Sequence, residues 1–374
     1  MSSSAENEGS PILETFGVKW PDFNGGLTYA DTVKPNTSGC TLISFYSTKH
    51  STSAPFQGWL QRIQNGQITI DGQIETNPDT ILREGSELVY HRIPWKEPDA
   101  PYLLDVLYED NHLVALNKPS GLQVLPGGLF QQRTVLTQLQ WRGGKSGDQE
   151  PHPVPVHRLG RGTSGILLCA KSKLAKTRLS AYFADGTAVV REKNTNAERN
   201  GRKISKFYMA LATGVIDKDE VVISQPIGAV RYAGVAKGLY MASSSGKPAL
   251  SKVKVLERDV QRNRSLVQVE IQSGRPHQIR IHLSFIGHPL AGDPLYASGG
   301  VPISFDSEPV DDSHEKDGGY QRPMRPLPGD CGYFLHAHQL VLLHPTTNEV
   351  IQITAPLPYM LQSQEEACKV KQTQ

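Results

Sequence analysis

The sequence predicts an α+β protein built on an antiparallel sheet, with a small separate unit ahead of the main domain. Three observations lead there. Apolar runs of strand length outnumber helical patterns along most of the 374 residues. A stretch with three prolines, residues 92–101, divides a short N-terminal unit from a longer remainder. Two polar segments, near 190–205 and 304–332, lack apolar periodicity and read as insertions.

Each element follows from its residues. Residues 1–54 are rich in Ser, Thr and Gly and read as a weakly structured lead-in. Residues 55–93 form the small unit. Trp59, Leu60 and Ile63 share a helical face, Asn65-Gly66 ends it, and residues 67–70 alternate into an Asp71-Gly72 turn. Ile81, Leu82, Leu88 and Val89 add strand-like pieces, and residues 94–101 are the linker. Residues 102–358 then make one large domain. Strands are predicted at 103–108, 112–117, 166–170, 205–212, 252–256 and 265–271, and a helix at 174–183. Residues 359–374 are a tail.

Charge is informative only in its distribution. Lys plus Arg is 39 and Asp plus Glu is 37, so net charge does not mark a nucleic-acid binder. Residues 157–184 nevertheless carry six basic side chains and no acid. Acids gather at Asp306, Glu308, Asp311, Asp312, Glu315 and Asp317. Such segregation makes a basic face on a near-neutral protein. The four cysteines lie far apart with no C-x-x-C pair, which argues against a disulfide framework or a zinc site of the usual spacing. His277 and His282, or His336 and His338, do not form the helical H-x-x-x-H pattern of a zinc enzyme, so they read as structural histidines and no metal is expected. No apolar run reaches bilayer length. The first ten residues lack the apolar core of a secretory signal and the basic pattern of a mitochondrial one. The expectation is an intracellular protein, in cytoplasm or nucleus, with no membrane and no protein partner implied.

The motifs carry more. Residues 156–165 read Val-His-Arg-Leu-Gly-Arg-Gly-Thr-Ser-Gly, preceded by Asn117-Lys118-Pro119-Ser120-Gly121. There follow Lys206-Phe207-Tyr208-Met209-Ala210-Leu211, Gly246-Lys247-Pro248-Ala249, and Ser273-Gly274-Arg275-Pro276-His277-Gln278-Ile279-Arg280-Ile281-His282-Leu283. Gly292-Asp293-Pro294-Leu295-Tyr296 and Leu335-His336-Ala337 close the series. In content and order these blocks resemble the RluA-like RNA pseudouridine synthases over roughly residues 102–358. The resemblance implies the pseudouridine-synthase fold, a mixed, mostly antiparallel sheet with flanking helices, preceded by a small RNA-binding module. It implies isomerisation of uridine to pseudouridine in structured RNA (tRNA or rRNA), with no metal or cofactor.

That reaction cuts the bond from ribose to uracil N1, turns the base and rejoins it through C5. The base must first leave the stack, at a cost of a few kcal/mol. A carboxylate serves as nucleophile or base, an aromatic face holds the ring, and a cation fixes the carboxylate. By resemblance, Tyr208 packs against the base, Arg280 pairs with the catalytic carboxylate, and Arg158 fills the space the nucleotide vacates. Arg161, Lys206, Arg275 and His277 contact the RNA. Arg158 and Arg161 read as phosphate contacts because no acid lies near them in sequence.

One position departs from the family. Gly160 stands where relatives carry the nucleophilic Asp, and Gly162 where a second Asp is common. Losing such a group costs about 10⁶-fold in some enzymes. The runner-up reading is therefore an RNA-binding pseudoenzyme. Two carboxylates are candidates to substitute. Asp293 lies in a Gly-Asp-Pro turn that reads as structural, and Asp185 follows the predicted helix at a turn before Gly186. Arg280 is then expected to lack its partner, leaving its pocket to a phosphate or another anion. Gly160, Gly162 and Gly165 also spell G-x-G-x-x-G, but a strand-like run follows instead of a helix, so a dinucleotide site is not expected.

Overall fold

The structure, a computed structural model, describes residues 11–51, 53–144, 152–188, 204–232, 235–303, 314–317, 320–323 and 330–363. In chain order, β1 (Glu14–Phe16) precedes a small unit of β2 (Leu27–Thr32), α1 (Leu42–Lys49), α2 (Phe56–Gln64), β3 (Ile68–Ile70), β4 (Gln73–Glu75) and β5 (Glu87–Arg92). The large domain opens with β6 (Leu104–Glu109), β7 (Leu113–Lys118), α3 (Val135–Gly144), β8 (Val154–Pro155), β9 (Ser164–Ala170) and α4 (Lys173–Ala188). It continues through β10 (Ile204–Thr213), β11 (Glu220–Ile223), β12 (Ile227–Tyr232), β13 (Val235–Ala242), β14 (Ser251–Asp259), β15 (Arg264–Ile271) and α5 (Gln278–Phe285). The last strands are β16 (His314–Asp317), β17 (Tyr320–Pro323), β18 (Leu335–Leu343) and β19 (Val350–Thr354).

An eleven-stranded sheet runs β1-β6-β7-β9-β18-β10-β15-β14-β11, with β8 beside β9 and β19 beside β18. Its pairs are antiparallel except for β9 and β18, which meet in parallel, Ser164 opposite His336 and Gly165 opposite Ala337. The fold is thus α+β with a mixed, mostly antiparallel sheet. Strand β9 is apolar without alternation because both its faces are covered. On one side α4 lays Ala175, Leu179 and Tyr182 over Ile166 and Leu168. On the other, α3 lays Val135 and Leu139 over Leu167 and Cys169. Helix α5 covers β10 and β15 with Ile279 and Leu283 against Ala210, Val267 and Val269. Each fully buried Leu or Ile contributes about 1.5–3 kcal/mol, which fixes these helices on the sheet.

Several segments differ from expectation. Within its described residues the lead-in is not weakly structured: β1 pairs with β6, and β2 pairs with β5. Leu42, Ile43, Phe45 and Tyr46 of α1 join Trp59 and Ile63 of α2 in the core of the small unit. Both signals are hard to see in sequence, because β1 has only three residues and β2 is mostly exposed. The small unit therefore begins near residue 27. The linker is anchored. Trp95 is 2% and Glu97 1% exposed, and the Glu97 carboxylate accepts the backbone N–H groups of Gln131, Gln132 and Arg133.

Residues 279–281, which alternate as in a strand, lie in α5; that helix is buried on all sides, so no polar face marks its period. Helix α4 runs on to Ala188, so Asp185 is helical and the expected turn before Gly186 is absent. Residues 189–203, most of the first expected insertion, lie outside the described residues, as does most of the second apart from the β16–β17 hairpin and residues 330–332.

Candidate active site

The loop from His157 to Thr163 enters the centre of the sheet through β9. Two side chains fix its start. His157 Nε2 accepts the backbone N–H of Leu168 at 2.9 Å, and its ring stacks on Phe183 at 4.4 Å. Burial, helped by Lys206, pushes His157 down to about 3, so it is a neutral anchor. Leu159 packs into the core between α3 and β9. Between these anchors Arg158 and Gly160 face outward.

The second half of the loop is tied to its neighbours. Lys118 Nζ donates to the carbonyls of Pro119, Leu122 and Arg161 at 2.8, 2.8 and 3.1 Å, using all three ammonium protons. Burial pulls the Lys118 pKa down to about 7. Ser120 Oγ donates to the Gly162 carbonyl at 2.8 Å, and Gly162 N–H donates to the Asp330 carbonyl at 3.1 Å. Gly162 permits this approach, since a Cβ there would lie 2.4 Å from the Asp330 oxygen. Gly165, at φ +101°, does the same beside β18, where a Cβ would lie 2.3 Å from the Ala337 oxygen.

Facing the loop are β10, α5 and the entry to β18. Tyr208 lies on β10 opposite Val269 and Ala337. It packs against both the cluster holding Leu159 and the cluster holding Tyr333 and Ile279. Burial pushes its hydroxyl up to about 12, so the ring stays neutral. Arg280 is 3% exposed and forms a bidentate pair with Asp293, Nε to Oδ2 and Nη2 to Oδ1, both at 2.7 Å. Its guanidinium lies 4.3 Å over the ring of Tyr333. Tyr333 Oη in turn sits 3.2 Å from Thr163 Oγ1 and 3.0 Å from where a Gly160 Cβ would be. Burial raises the Tyr333 hydroxyl pKa and Arg280 opposes that rise.

His277 adopts a left-handed φ of 55° at the head of α5. Its Nδ1 lies 2.9 Å from Tyr296 Oη, which donates to the Tyr240 carbonyl at 2.8 Å. That hydroxyl must accept from Nδ1–H, which leaves Nε2 as an unprotonated acceptor. Burial, then Arg280, hold His277 down to about 4, with Asp293, Asp330 and Arg158 also within electrostatic reach.

Gly160, Tyr208 and Arg280 therefore gather around Tyr333, with His277 in electrostatic reach of Arg280 and Arg158, and Arg161 next in chain to Gly160. Two expectations change. Arg280 does not lack a partner, because Asp293 closes on it from the turn after α5. Arg161 is paired: Asp330, 169 residues away, takes its Nε at 2.8 Å and Nη2 at 2.6 Å. Sequence proximity could not show an acid brought in by the fold. Arg158 is exposed and has no partner among the described residues. Arg275 turns away and donates from Nε to the Pro248 carbonyl at 2.9 Å. Lys206 is 7% exposed, its ammonium 5.5 Å from the centre of the Phe183 ring.

Asp293 is fully engaged as well by the backbone N–H groups of Leu295 and Tyr296. Of the metal candidates, His282 is held by Ser251 and the Gln225 carbonyl, and His336 by Ser164. Among the described residues no three His, Cys, Asp or Glu side chains gather as a metal site. Tyr333, Asp330 and Lys118 were not foreseen as site residues. Asp330 lies at the end of the Pro/Gly-rich segment that reads as an insertion and Tyr333 just past it, and Lys118 was legible only as part of a motif.

An aromatic side chain, a buried Arg280–Asp293 pair and a glycine-rich loop thus meet at the centre of a mixed sheet. The sequence profile of the RNA pseudouridylate synthase family matches residues 112–285. The chain is similar to RNA pseudouridine synthase 5 of Oryza sativa subsp. japonica, with 62% identity over 367 residues, covering 95% of this chain and 92% of that protein. It is similar to RNA pseudouridine synthase 5 of Arabidopsis thaliana, with 63% identity covering 96% of this chain and 100% of that one. An uncharacterized RNA pseudouridine synthase of Synechocystis sp. shares 39% identity over 317 residues, covering 85% and 94% of the two chains. The chain belongs to the RNA pseudouridine synthase family, a family of isomerases, and RNA is its partner class. Among the described residues no helix is long and apolar enough to cross a membrane.

Proposed function

We propose that this chain converts uridine to pseudouridine in a structured tRNA or rRNA, inside the cell. The observation that supports the reading is the packing of Tyr208, Arg280 and the Arg158–Thr163 loop around Tyr333 and Ala337 beside the β9–β18 junction. Tyr208 offers a neutral ring face to an extruded uracil. Stacking on such a ring is worth about 1–3 kcal/mol per base, comparable to the cost of unstacking. Arg158, exposed at the mouth, takes the space the nucleotide leaves in the helix and contacts phosphate. His277 Nε2 offers the acceptor that uracil N3–H requires. Lys206, from its buried position, acts on the RNA only through the loop it supports, and Arg275 contributes only positive charge nearby. The small unit ahead of the sheet adds RNA contact area. The widely spaced cysteines support a reducing compartment.

The test is tritium release. RNA transcribed with tritium at uracil C5 yields tritiated water when C5 joins the ribose. Native chain incubated with tRNA and large-subunit rRNA transcripts should release tritium, and Tyr208→Ala should lower the rate by up to about 10²-fold, following the loss of a stack worth about 1–3 kcal/mol. RNA binding without release from any transcript would instead identify a pseudoenzyme.

A further inference from the structure

The cleft has a carboxylate that sequence order conceals. Position 160 offers no nucleophile: what lies against its Cα is the hydroxyl of Tyr333 and that of Thr163, at 3.0 and 3.4 Å from a notional Cβ. Two acids within electrostatic reach of His277 are Asp293 and Asp330. Asp293 is unavailable. Its side chain is 0% exposed, and its two oxygens accept four hydrogen bonds from Arg280, Leu295 and Tyr296.

Asp330 is differently placed. Its side chain is 44% exposed, and Arg161 engages Oδ1 alone, through Nε and Nη2. Oδ2 has no partner among the described residues. The Asp330 carbonyl is bonded to Gly162 N–H, which ties this residue to the loop two positions beyond Gly160. That approach depends on glycine at 162, where a Cβ would also meet Cys331 Cα at 2.8 Å. The two glycines are therefore connected: one removes a carboxylate from the loop, and the other admits the segment that brings a carboxylate to it. Arg161 fixes the incoming group as a cation fixes any reactive carboxylate.

We propose that Asp330 supplies the carboxylate that position 160 lacks in this chain. The proposal rests on the reading that the chain isomerises uridine. Oδ2 attacks ribose C1′ of the extruded nucleotide, the C1′–N1 bond breaks, and its electron pair leaves with the uracil as an N1 anion. The base turns, C5 attacks C1′, and the C1′–O bond of the ester breaks to free the carboxylate. C5 then gives up its proton to water and N1 takes one from water, so the reaction is an isomerisation with no co-reactant.

The tritium-release assay separates this from its parent reading. Asp330→Asn should lower the rate on the transcripts used for the native chain by about 10³-fold or more. RNA affinity should be retained, because Arg161 stays in place. A second variant keeps the idea falsifiable if the segment merely holds the loop. Gly160→Asp needs the room taken by the Tyr333 hydroxyl, so Gly160→Asp/Tyr333→Phe added to Asp330→Asn returns a carboxylate to the cleft and should recover at least about tenfold. An unchanged rate in Asp330→Asn, or a loss that the triple variant does not recover, overturns the proposal while leaving the activity itself standing. No release by the native chain removes the parent reading and this one together.

Discussion

Asp293→Ala should destabilise the protein by about 3–5 kcal/mol, because it strands the Arg280 guanidinium without its counter-charge. That guanidinium is 3% exposed, and both of its bonds to Asp293 are 2.7 Å. Tyr333 and Tyr296 face the cation at 4.3 and 5.0 Å and cannot replace a carboxylate. The turn also loses two backbone bonds that Asp293 Oδ1 accepts. For a domain of this size the melting temperature should fall on the order of 10 °C. A matched variant, Arg280→Met/Asp293→Leu, removes both charges and should keep most of the stability, since the loss comes from the unpaired ion. Thermal denaturation of the three proteins checks this. A single variant melting within about 2 °C of the native chain would contradict the burial argument.

Gly165→Ala should be nearly as damaging by a different route. A side chain at φ +101° carries about 1–3 kcal/mol of backbone strain. The new Cβ would also lie 2.3 Å from the Ala337 oxygen and 2.7 Å from its nitrogen, so β9 and β18 must separate at their parallel contact. Overpacking of this kind adds a further cost of about 1–3 kcal/mol. That contact sets the distance between the Arg158–Thr163 loop and Tyr333, so the cleft is disrupted with it. Gly160→Ala is the control. Its Cβ meets only side-chain hydroxyls, at 3.0 and 3.4 Å, and no left-handed φ is required. Denaturant titration should show Gly165→Ala several-fold more destabilising than Gly160→Ala. Equal midpoints would contradict the assigned role of the junction.

These two sites show what the sequence could and could not reveal. Gly165 was visible as the last residue of a motif, and Arg280 as the centre of another. Strand β9 was legible because five consecutive apolar residues, 166–170, are buried under helices on both faces. Helix α5 was less so. Its residues from Gln278 to Ser284 are all buried, so periodicity had nothing to contrast with. Strands β1 and β2 failed for the opposite reason, being short or mostly exposed, and they owe their shape to pairing partners.

At the site the residues inside motifs were readable, and the contacts between motifs were not. Arg161 looked free because its acid comes from residue 330. Asp293 is visible as a candidate carboxylate, but nothing in its Gly-Asp-Pro turn, 13 residues along, shows that it folds back onto Arg280. Tyr333 fills the space beside Gly160 from a segment whose Gly and Pro content suggested only a loop. No local pattern announces a contact of that kind. A carboxylate and a cation need no particular spacing when the sheet brings them together.

The most direct measurement is a structure of the chain bound to a uridine-containing RNA stem-loop. One uridine should lie outside the stack, its base face on Tyr208 between the Arg158–Thr163 loop and Tyr333, with Arg158 in the gap it left. RNA held on another surface with its stack intact, and nothing against Tyr208, would contradict the account.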